Sequence, residues 1–386
     1  MIRVRLFCLL TMGLMVGGAW LTNEPTHSAP SIRSAANSDL DPTPLAVSSK
    51  VVSEERRRIL VEGGLLSLSK SQNADGSIGG KNAQSSRIAV TSLALLAFLA
   101  DGNSESRGAF CAQVRSAIAF LCRCSLKSGP RRGYFEANGD TVSRMHGHGY
   151  ATLALCQAYG QYGAGRKFVG TSADLRQVIA NAVDLIVRSQ NSAGGWYYQP
   201  LDSVDDEGSI TVCMIQALRA ARNAGFAVRT SVIDKAIGYI RASQNKDGSV
   251  RYSLRNQRPG SFELTAAGCA TLAYGGRYNS KEVVAARSYL WNIHENVFND
   301  SNLSYPYYGY FYALQALWFD YESNRWDIWF PKFVNWYWEQ WDNQSRTYSH
   351  VPNGRHKEME YGIEYRTALA TLSLQIPNQF LPIFAK

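Results

Sequence analysis

Apolar residues recur every three to four positions along most of the chain, a spacing that predicts α-helices rather than strands. The predicted helices are of two kinds, which alternate along the sequence. One kind is amphipathic, with charge on one face, and covers Glu54–Ser71, Ala112–Cys124, Ala173–Gln190, Ser231–Gln244, Ser280–Trp291 and Trp329–Trp341. The other kind is apolar on nearly every face and covers Arg87–Ala100, Gly147–Tyr159, Ser209–Ala224, Glu263–Tyr274, Tyr308–Asp320 and Glu364–Leu374.

The alternation of the two kinds predicts how the helices are arranged. A helix that is apolar on every face must be enclosed on every face. The apolar helices therefore form an inner barrel, and the amphipathic helices surround it with one face toward water. We predict an all-α fold, an α6/α6 toroid in which about six helical hairpins form two concentric rings.

A short motif marks the joints between the two kinds of helix. Ser-Gln-Asn followed by a glycine turn occurs at Ser71–Gly76, Ser189–Gly194 and Ser243–Gly248, each time after an outer helix. The first two copies are about twice as far apart as the last two, which leaves room for one degenerate copy between them. Such a regular interval is typical of stacked supersecondary units. We interpret the turns as joints whose Gln and Trp side chains hold neighbouring repeats together.

The N-terminus differs from the rest of the chain. Arg3 and Arg5 precede an apolar run from Leu6 to Trp20, and small residues stand near its end. This pattern is typical of a secretory signal peptide, and an uncleaved anchor is the alternative. We predict a signal peptide over residues 1–19, a disordered linker over 20–52 and one toroid domain over 53–386. The protein is therefore expected to be exported to the periplasm, the cell envelope or the medium.

Charge and cysteine content narrow the range of partners. The formal net charge of +9 favours loose association with an anionic envelope surface. The sequence has no basic stripe with interleaved aromatic residues of the kind that binds nucleic acid. Nucleic-acid binding is therefore not expected. Most of the cysteines lie in apolar helical runs, where a thiol usually packs as a small core residue. Cys111 with Cys122 or Cys124 is the one disulfide pairing that the sequence suggests.

Two groups of residues carry a resemblance to known families. The turn Gln190–Trp196 resembles the repeat of squalene cyclases and protein prenyltransferase β-subunits. The stretch His146–Leu155, with Ser189–Pro200 and Ser209–Leu218, is similar to exported bacterial "prenyltransferase/squalene oxidase repeat" proteins. The resemblance covers roughly residues 54–385. It implies a toroid with a central cavity for an apolar, lipid-like or isoprenoid-like small molecule.

An acidic cluster, Asp202–Glu207, supplies the candidate catalytic acids. Class II terpene cyclases protonate an alkene with the middle acid of an Asp-x-Asp-Asp motif at the start of an inner helix. The matching frame here is Ser203–Asp206, in which Ser replaces the first acid. The resemblance implies that Asp205 is the proton donor, with Asp206 and His148 tuning it. The alternative is that these acids cap the N-terminus of the helix.

The two-ring geometry predicts where a ligand would bind. All six inner helices run parallel, so their N-termini meet at one mouth of the barrel, where positive dipole ends favour anionic groups. Aromatic side chains there could contact a cation or an apolar chain, although aromatic runs are more often packing. The residues expected to bind substrate at this mouth are His146, Glu207, Tyr305, Tyr307, Tyr308, Tyr361 and Arg366.

Zinc binding, a non-catalytic toroid and a polysaccharide lyase are the remaining alternatives. Asp206, Cys213 and His148 have ligand types suited to zinc, but the Asp-x-Cys pair of protein prenyltransferases is missing, so we expect no metal or other cofactor. The main alternative to an enzyme is a non-catalytic binding or scaffold toroid at the cell envelope. A secreted polysaccharide lyase on a similar toroid is the third hypothesis.

Overall fold

A computed structural model describes residues 49–160, 174–202, 204–255, 259–274, 276, 278–298, 303–320, 323–348 and 357–384. The predicted signal peptide and residues 20–48 of the predicted linker lie outside these ranges, as do Ser203 and Ala173. Residues Val47–Lys386 form one compact unit. Within the described part of the chain, no helix combines the length and the apolar character needed to cross a bilayer.

The described residues form twelve α-helices that alternate as the sequence predicts. Those of the outer ring are α1 (Ser49–Lys70), α3 (Cys111–Cys124), α5 (Leu175–Arg188), α7 (Thr230–Ala242), α9 (Lys281–Val297) and α11 (Arg325–Gln340). Those of the inner ring are α2 (Arg87–Ala100), α4 (Arg144–Gly160), α6 (Gly208–Asn223), α8 (Phe262–Tyr274), α10 (Pro306–Trp318) and α12 (Ile363–Leu374).

The inner helices close into a ring. Each packs against the next inner helix, from α2 to α4, α6, α8, α10 and α12, and α12 packs back against α2. The outer helices lie against the inner ones. In the outer ring α1 lies beside α11, and it packs against the inner helices α12 and α2. Every residue of α2 after Arg87 is buried, as enclosure on all sides requires. The predicted α6/α6 toroid is confirmed.

Glutamine side chains join neighbouring repeats. The amides of Gln72, Gln190 and Gln244 each donate to the glycine carbonyl of their own turn, at 3.0–3.1 Å. The same amides also donate to a carbonyl in the first turn of the next outer helix, on Gln113, Val232 and Glu282, at 2.8–3.0 Å. The predicted joint role of the glutamines is confirmed. Trp196 instead bonds the carbonyl of Ile186 in α5, within its own hairpin.

The degenerate copy lies between α3 and α4. Gly133 has a φ of +90°, and a Cβ there would lie 2.2 Å from the Asn181 carbonyl oxygen of the next outer helix. Gly76, in the first complete copy, has the same relation to Ser116 of α3. The predicted extra repeat is therefore present, although its turn lacks the Ser-Gln-Asn motif.

The suggested disulfide is wrong. Cys111 begins α3 and Cys124 ends it. A helical rise of 1.5 Å per residue separates them by about 20 Å, and Cys111 from Cys122 by about 16 Å, whereas a disulfide needs α-carbons within about 7 Å. All three thiols are free.

Candidate functional site

A cavity of about 660 Å³ lies among the first turns of the inner helices. All six inner helices contribute residues from their N-terminal ends, so these ends converge as predicted. The lining consists of Ser86, Ala89, Val142, Ser143, Arg144, His146, Tyr150, Tyr198, Glu207, Ser209, Tyr252, Pro259, Ser261, Glu263, Leu264, Ser304, Tyr305, Tyr308, Glu360, Tyr361 and Tyr365.

Half of the predicted site residues line this cavity. His146, Glu207, Tyr305, Tyr308 and Tyr361 face it. The other five, which include all three predicted catalytic residues, are placed elsewhere: Asp205, Asp206, His148, Tyr307 and Arg366.

Asp205 and Asp206 belong to the turn before α6 rather than to the cavity. The Asp205 side chain is half exposed and pairs with Arg255 at 3.4 Å. Asp206 is buried and accepts hydrogen bonds from the Tyr239 hydroxyl at 2.7 Å and the Leu254 amide at 2.8 Å. Both carboxylates are thus committed to contacts outside the lumen.

His148 and Tyr307 point toward the outer ring. The His148 Nε2 lies 3.2 Å from the Ala182 carbonyl in α5, and burial lowers the pKa of this ring to about 4. Tyr307 packs against Trp336 and Tyr337 of α11. Each is adjacent or nearly adjacent in sequence to a lining residue, but a helix turns by about 100° per residue, so neighbours face different sides.

Arg366 is buried in α12, away from the cavity. Its guanidinium Nε and Nη1 have no hydrogen-bond partner. Its positive charge acts on the buried carboxyl of Glu358 and lowers the pKa of that group, against the larger effect of burial.

Three carboxyl groups line the cavity, those of Glu207, Glu263 and Glu360, and Glu207 is the one that caps α6. Its Oε2 accepts hydrogen bonds from the Ile210 amide at 2.7 Å and the Ser209 hydroxyl at 2.6 Å. The backbone amide of Ser209 also donates a hydrogen bond to this carboxyl. Burial raises the pKa of Glu207 to about 7. Of the acids predicted to cap this helix, Glu207 alone does so.

A hydrogen-bonded chain fixes the orientation of this carboxyl. The Ser209 Oγ, which donates to Glu207, also lies 2.7 Å from the His146 Nε2. Burial lowers the pKa of His146 to about 4, so the ring is neutral at pH 7. If His146 donates from Nε2 to Ser209, the Ser209 hydroxyl donates to Glu207 Oε2. Oε2 then accepts from both Ser209 and Ile210, so below pH 7 the carboxyl proton is on the other oxygen, Oε1.

Tyrosine is the commonest residue type in the lining. Seven tyrosines line the cavity: Tyr150, Tyr198, Tyr252, Tyr305, Tyr308, Tyr361 and Tyr365. The hydroxyls of Tyr198 and Tyr252 lie 2.6 Å apart, and Tyr305 stacks on Tyr361. Aromatic faces attract cations, so this wall can stabilise positive charge.

Four of these tyrosines were missed from the sequence, although their spacing holds a signal. Tyr150 and Tyr365 each follow a predicted lining residue, His146 and Tyr361, by four positions. Tyr198 and Tyr252 stand at the same position after Gln190 and Gln244, and both are in the loop that leads to the next inner helix. Two of the joints thus each place one tyrosine at the mouth, whereas Gly80 stands at this position after Gln72.

Carboxylates cap several inner helices at this mouth. Asp140 accepts from the Ile88 amide at the start of α2, at 2.8 Å. Glu358 accepts from the amides of Tyr307 and Tyr308 at the start of α10, at 3.1 and 2.9 Å. These caps satisfy amide groups that would otherwise be free to bind an anionic ligand.

Glu358 makes stability depend on pH. Burial raises its pKa from an ordinary 4.5 to about 8. The folded state therefore holds a proton that the unfolded chain releases, and the stabilisation is complete below pH 4.5 and lost as pH rises to 8. Glu358→Gln loses one of the two acceptor oxygens at every pH, but Gln does not titrate. The variant is therefore expected to remove the pH-dependent loss, which approaches about 1.4 kcal/mol per pH unit. Chemical unfolding measured from pH 5 to 9 tests this. An unchanged slope would contradict it, and Glu339→Gln, an exposed carboxylate on α11, is the control.

The zinc ligands considered from the sequence are not brought together. Asp206 bonds Tyr239, His148 faces α5, and the Cys213 thiol contacts the His146 carbonyl at 3.6 Å. Among the described residues, no group of three or more His, Cys, Asp or Glu side chains could hold a metal ion.

The far end of the barrel is filled. Gln216 donates to Gln315 at 3.3 Å and accepts from the Tyr312 hydroxyl at 2.9 Å, and all three side chains are buried. Trp318 donates to the carbonyl of Phe384, whose ring contacts Phe311. The cavity is therefore confined to the mouth where the inner helices begin.

Comparison with solved structures finds this fold in type II terpene cyclases. An Asp-to-Ala variant of the cyclase MstE from Scytonema, in complex with the product merosterolic acid A, is 15% identical, with a TM-score of 0.54 over 84% of this chain and 97% of that one. An apo Tyr-to-Phe variant is 14% identical, with a TM-score of 0.55 over 86% and 99% of the two chains. An Asp-to-Asn variant with the substrate geranylgeranyl dihydroxybenzoate is 13% identical, with a TM-score of 0.54 over the same shares.

At these identities the likeness establishes the fold alone. No family model and no curated protein matches the sequence. The protein thus has the α/α toroid of type II terpene cyclases, and any activity has to be argued from its own site.

Proposed function

We propose that this protein is an enzyme of the class II terpene cyclase type, which protonates an isoprenoid-like chain, with Glu207 rather than Asp205 as the acid. One observation supports this above all: a buried carboxyl with a raised pKa borders a tyrosine-lined cavity. The volume of about 660 Å³ is within the usual range for a small-molecule site.

The proposed reaction begins with proton transfer from Glu207 Oε1 to a terminal alkene carbon of the substrate. A C–H bond forms from the π pair, and the neighbouring carbon becomes cationic. Further double bonds attack in turn, forming C–C bonds and moving the charge along the chain. The last cation loses a proton to water, and the Glu207 carboxylate takes up a proton from solvent, so the product is neutral and cyclic and the overall reaction is an isomerisation.

The residues around Glu207 have separate roles in this scheme. Ser209 and His146 position the carboxyl, because they hold Oε2 and leave the proton on Oε1. Tyr308, Tyr150 and the other aromatic side chains of the lining stabilise the moving cation through their ring faces.

Incubation of the purified protein with squalene, geranylgeraniol and geranylgeranyl dihydroxybenzoate tests the proposal. The expected result is a cyclic product of unchanged mass, detected by gas or liquid chromatography with mass spectrometry. The Glu207→Gln variant is the control, because any product that it forms equally well does not depend on the Glu207 acid. Failure of all three substrates to react would count against cyclase chemistry.

Binding without turnover is the second candidate. The filled far end of the barrel, with its buried Gln216, Gln315 and Tyr312, leaves a shorter space than an open lumen would. A scaffold or binding toroid at the envelope needs only a cavity that holds a ligand, and a short cavity is enough for that. Saturable binding of the same compounds without product would favour this candidate.

We propose further that residues 1–19 direct export and are then removed. The apolar run after Arg3 and Arg5 and the small residues Gly17–Ala19 support this. The full chain, expressed in a host with a general secretion pathway, is expected to be recovered outside the cytoplasm with an N-terminus close to Trp20. N-terminal sequencing and intact mass check this, and a retained Met1 would contradict it.

A further inference from the structure

Arg144 is mounted on a rigid loop at the rim of the cavity. Asp140 accepts hydrogen bonds from the amide of Ser143 at 2.9 Å and from its hydroxyl at 2.7 Å, and also holds the Ile88 amide of α2. The Ser143 hydroxyl in turn accepts from Ala89 at 3.0 Å. The loop is thereby fastened to the neighbouring inner helix.

The backbone of Arg144 is in an unfavourable conformation. Its φ is +44°, in the left-handed region that residues with a side chain rarely adopt. Conformations of this kind persist where the surroundings impose them, and they cluster at sites that hold a ligand. Here the fastened loop imposes it and directs the side chain to the cavity rim.

The guanidinium of Arg144 is free to bind an anion. Its Nε donates to the Thr141 carbonyl at 3.2 Å, and its Cζ lies over the Tyr198 ring, 5.6 Å from the ring centroid. No carboxylate among the described residues pairs with it. Two other arginines near this end of the barrel are neutralised instead, Arg87 by Asp75 and Arg255 by Asp205.

Among the described residues that line the cavity, Arg144 is the one lysine or arginine. Glu360 is also on the rim, before α12, and Glu263 is committed to the amides of Ser304 and Tyr305. The rim therefore offers a single strong donor for an anion. A guanidinium has a planar fork of N–H groups, and those that remain free match a carboxylate or a phosphate.

We infer that Arg144 binds an anionic head group, a carboxylate or a phosphate, on a ligand whose apolar chain occupies the tyrosine-lined cavity. The inference rests on the proposed function in that the chain is isoprenoid-like. It adds that the substrate is an anionic amphiphile rather than a plain hydrocarbon such as squalene.

Equilibrium binding of three compounds with the same C20 chain tests this: geranylgeraniol, geranylgeranoic acid and geranylgeranyl diphosphate. Titration calorimetry is carried out on the wild type and on Arg144→Gln, with no measurement of turnover. In the wild type, one or both anionic compounds are expected to bind at least tenfold more tightly than the alcohol. Tighter binding of the acid identifies a carboxylate head group, and tighter binding of the diphosphate identifies a phosphate.

Arg144→Gln is expected to abolish the preference while changing the dissociation constant of the alcohol less than twofold. Arg144→Lys should keep part of it, because charge remains but the fork is lost. Arg131→Gln is the matched control, since Arg131 also lies over a tyrosine but pairs with Glu136 and does not line the cavity. This control should preserve the full preference.

Equal binding of all three compounds by the wild type would overturn the inference, and so would binding of none. A preference that survives Arg144→Gln would also overturn it. A preference that Arg144→Gln abolishes, in a protein that forms no cyclic product, would support the inference and count against the proposed chemistry alone.

Discussion

Replacement of Glu207 by Gln is expected to lower turnover of an isoprenoid substrate by about 10³-fold or more. The amide keeps an oxygen that can accept from the Ile210 amide and the Ser209 hydroxyl, so the cap of α6 is retained. It has no acidic proton to give to an alkene. Initial rates of product formation, with circular dichroism to confirm the fold, measure this loss.

The pH dependence of the wild type should report the same group. Burial raises the pKa of Glu207 to about 7, so the acid is protonated below this value and ionised above it. Turnover is expected to be constant at lower pH and to fall about tenfold per unit above pH 7. A rate that rises through pH 7 would contradict the role of Glu207 as the acid.

Asp205→Asn is the control for this assignment. Asp205 is half exposed and pairs with Arg255, so its neutralisation should change the rate less than twofold. If instead Asp205→Asn is as inactive as Glu207→Gln, the acid is Asp205, as the sequence predicted.

The fold could be predicted because its cause is spread over many residues. Each inner helix needs apolar side chains on every face, and a pattern repeated over twelve helices tolerates local exceptions such as Pro331 inside α11. The joints were predictable for the same reason. Gln72, Gln190 and Gln244 repeat one contact, which the two neighbouring repeats require each time.

The acid could not be chosen from the sequence because the choice depends on one turn. Asp202 accepts from the amides of Val204 and Asp205, at 2.9 and 3.1 Å, and this turn sets where α6 begins. A shift of one residue at a helix start rotates a side chain by about 100°. Hydrophobic periodicity locates the helix to within a few residues, which is too coarse to separate Asp205, Asp206 and Glu207.

Some residues of the site lie in loops, and the hydrophobic periodicity of the helices does not predict where loop residues lie. Tyr198 and Tyr252 reach the cavity from joints, where their neighbours are held by backbone hydrogen bonds such as Met145 to the Tyr198 carbonyl. Arg144 owes its place to the carboxylate of Asp140. Such positions follow from which polar groups find partners, and that is decided only when the rings are assembled.

The glycines of the joints lead to the second large effect, on stability. Gly194→Ala is expected to destabilise the protein by at least about 3 kcal/mol. Gly194 has a φ of +91°, and a Cβ there would lie 2.4 Å from the Lys235 carbonyl oxygen of α7. Part of the cost is the left-handed conformation itself, about 1 kcal/mol for a residue with a side chain. The rest arises because α7 must move away, which stretches the contact of Gln190 with Val232 at 2.8 Å.

Gly225→Ala separates the two contributions. Gly225 has a φ of +86°, and a Cβ there meets nothing within 4 Å, so only the conformational cost of about 1 kcal/mol applies. Urea unfolding of both variants gives the comparison. Equal losses would mean that the joint yields to a methyl group and that close contact between repeats adds little. A larger loss for Gly194→Ala means that the toroid depends on backbone approach at its joints, where a single added carbon separates one repeat from the next.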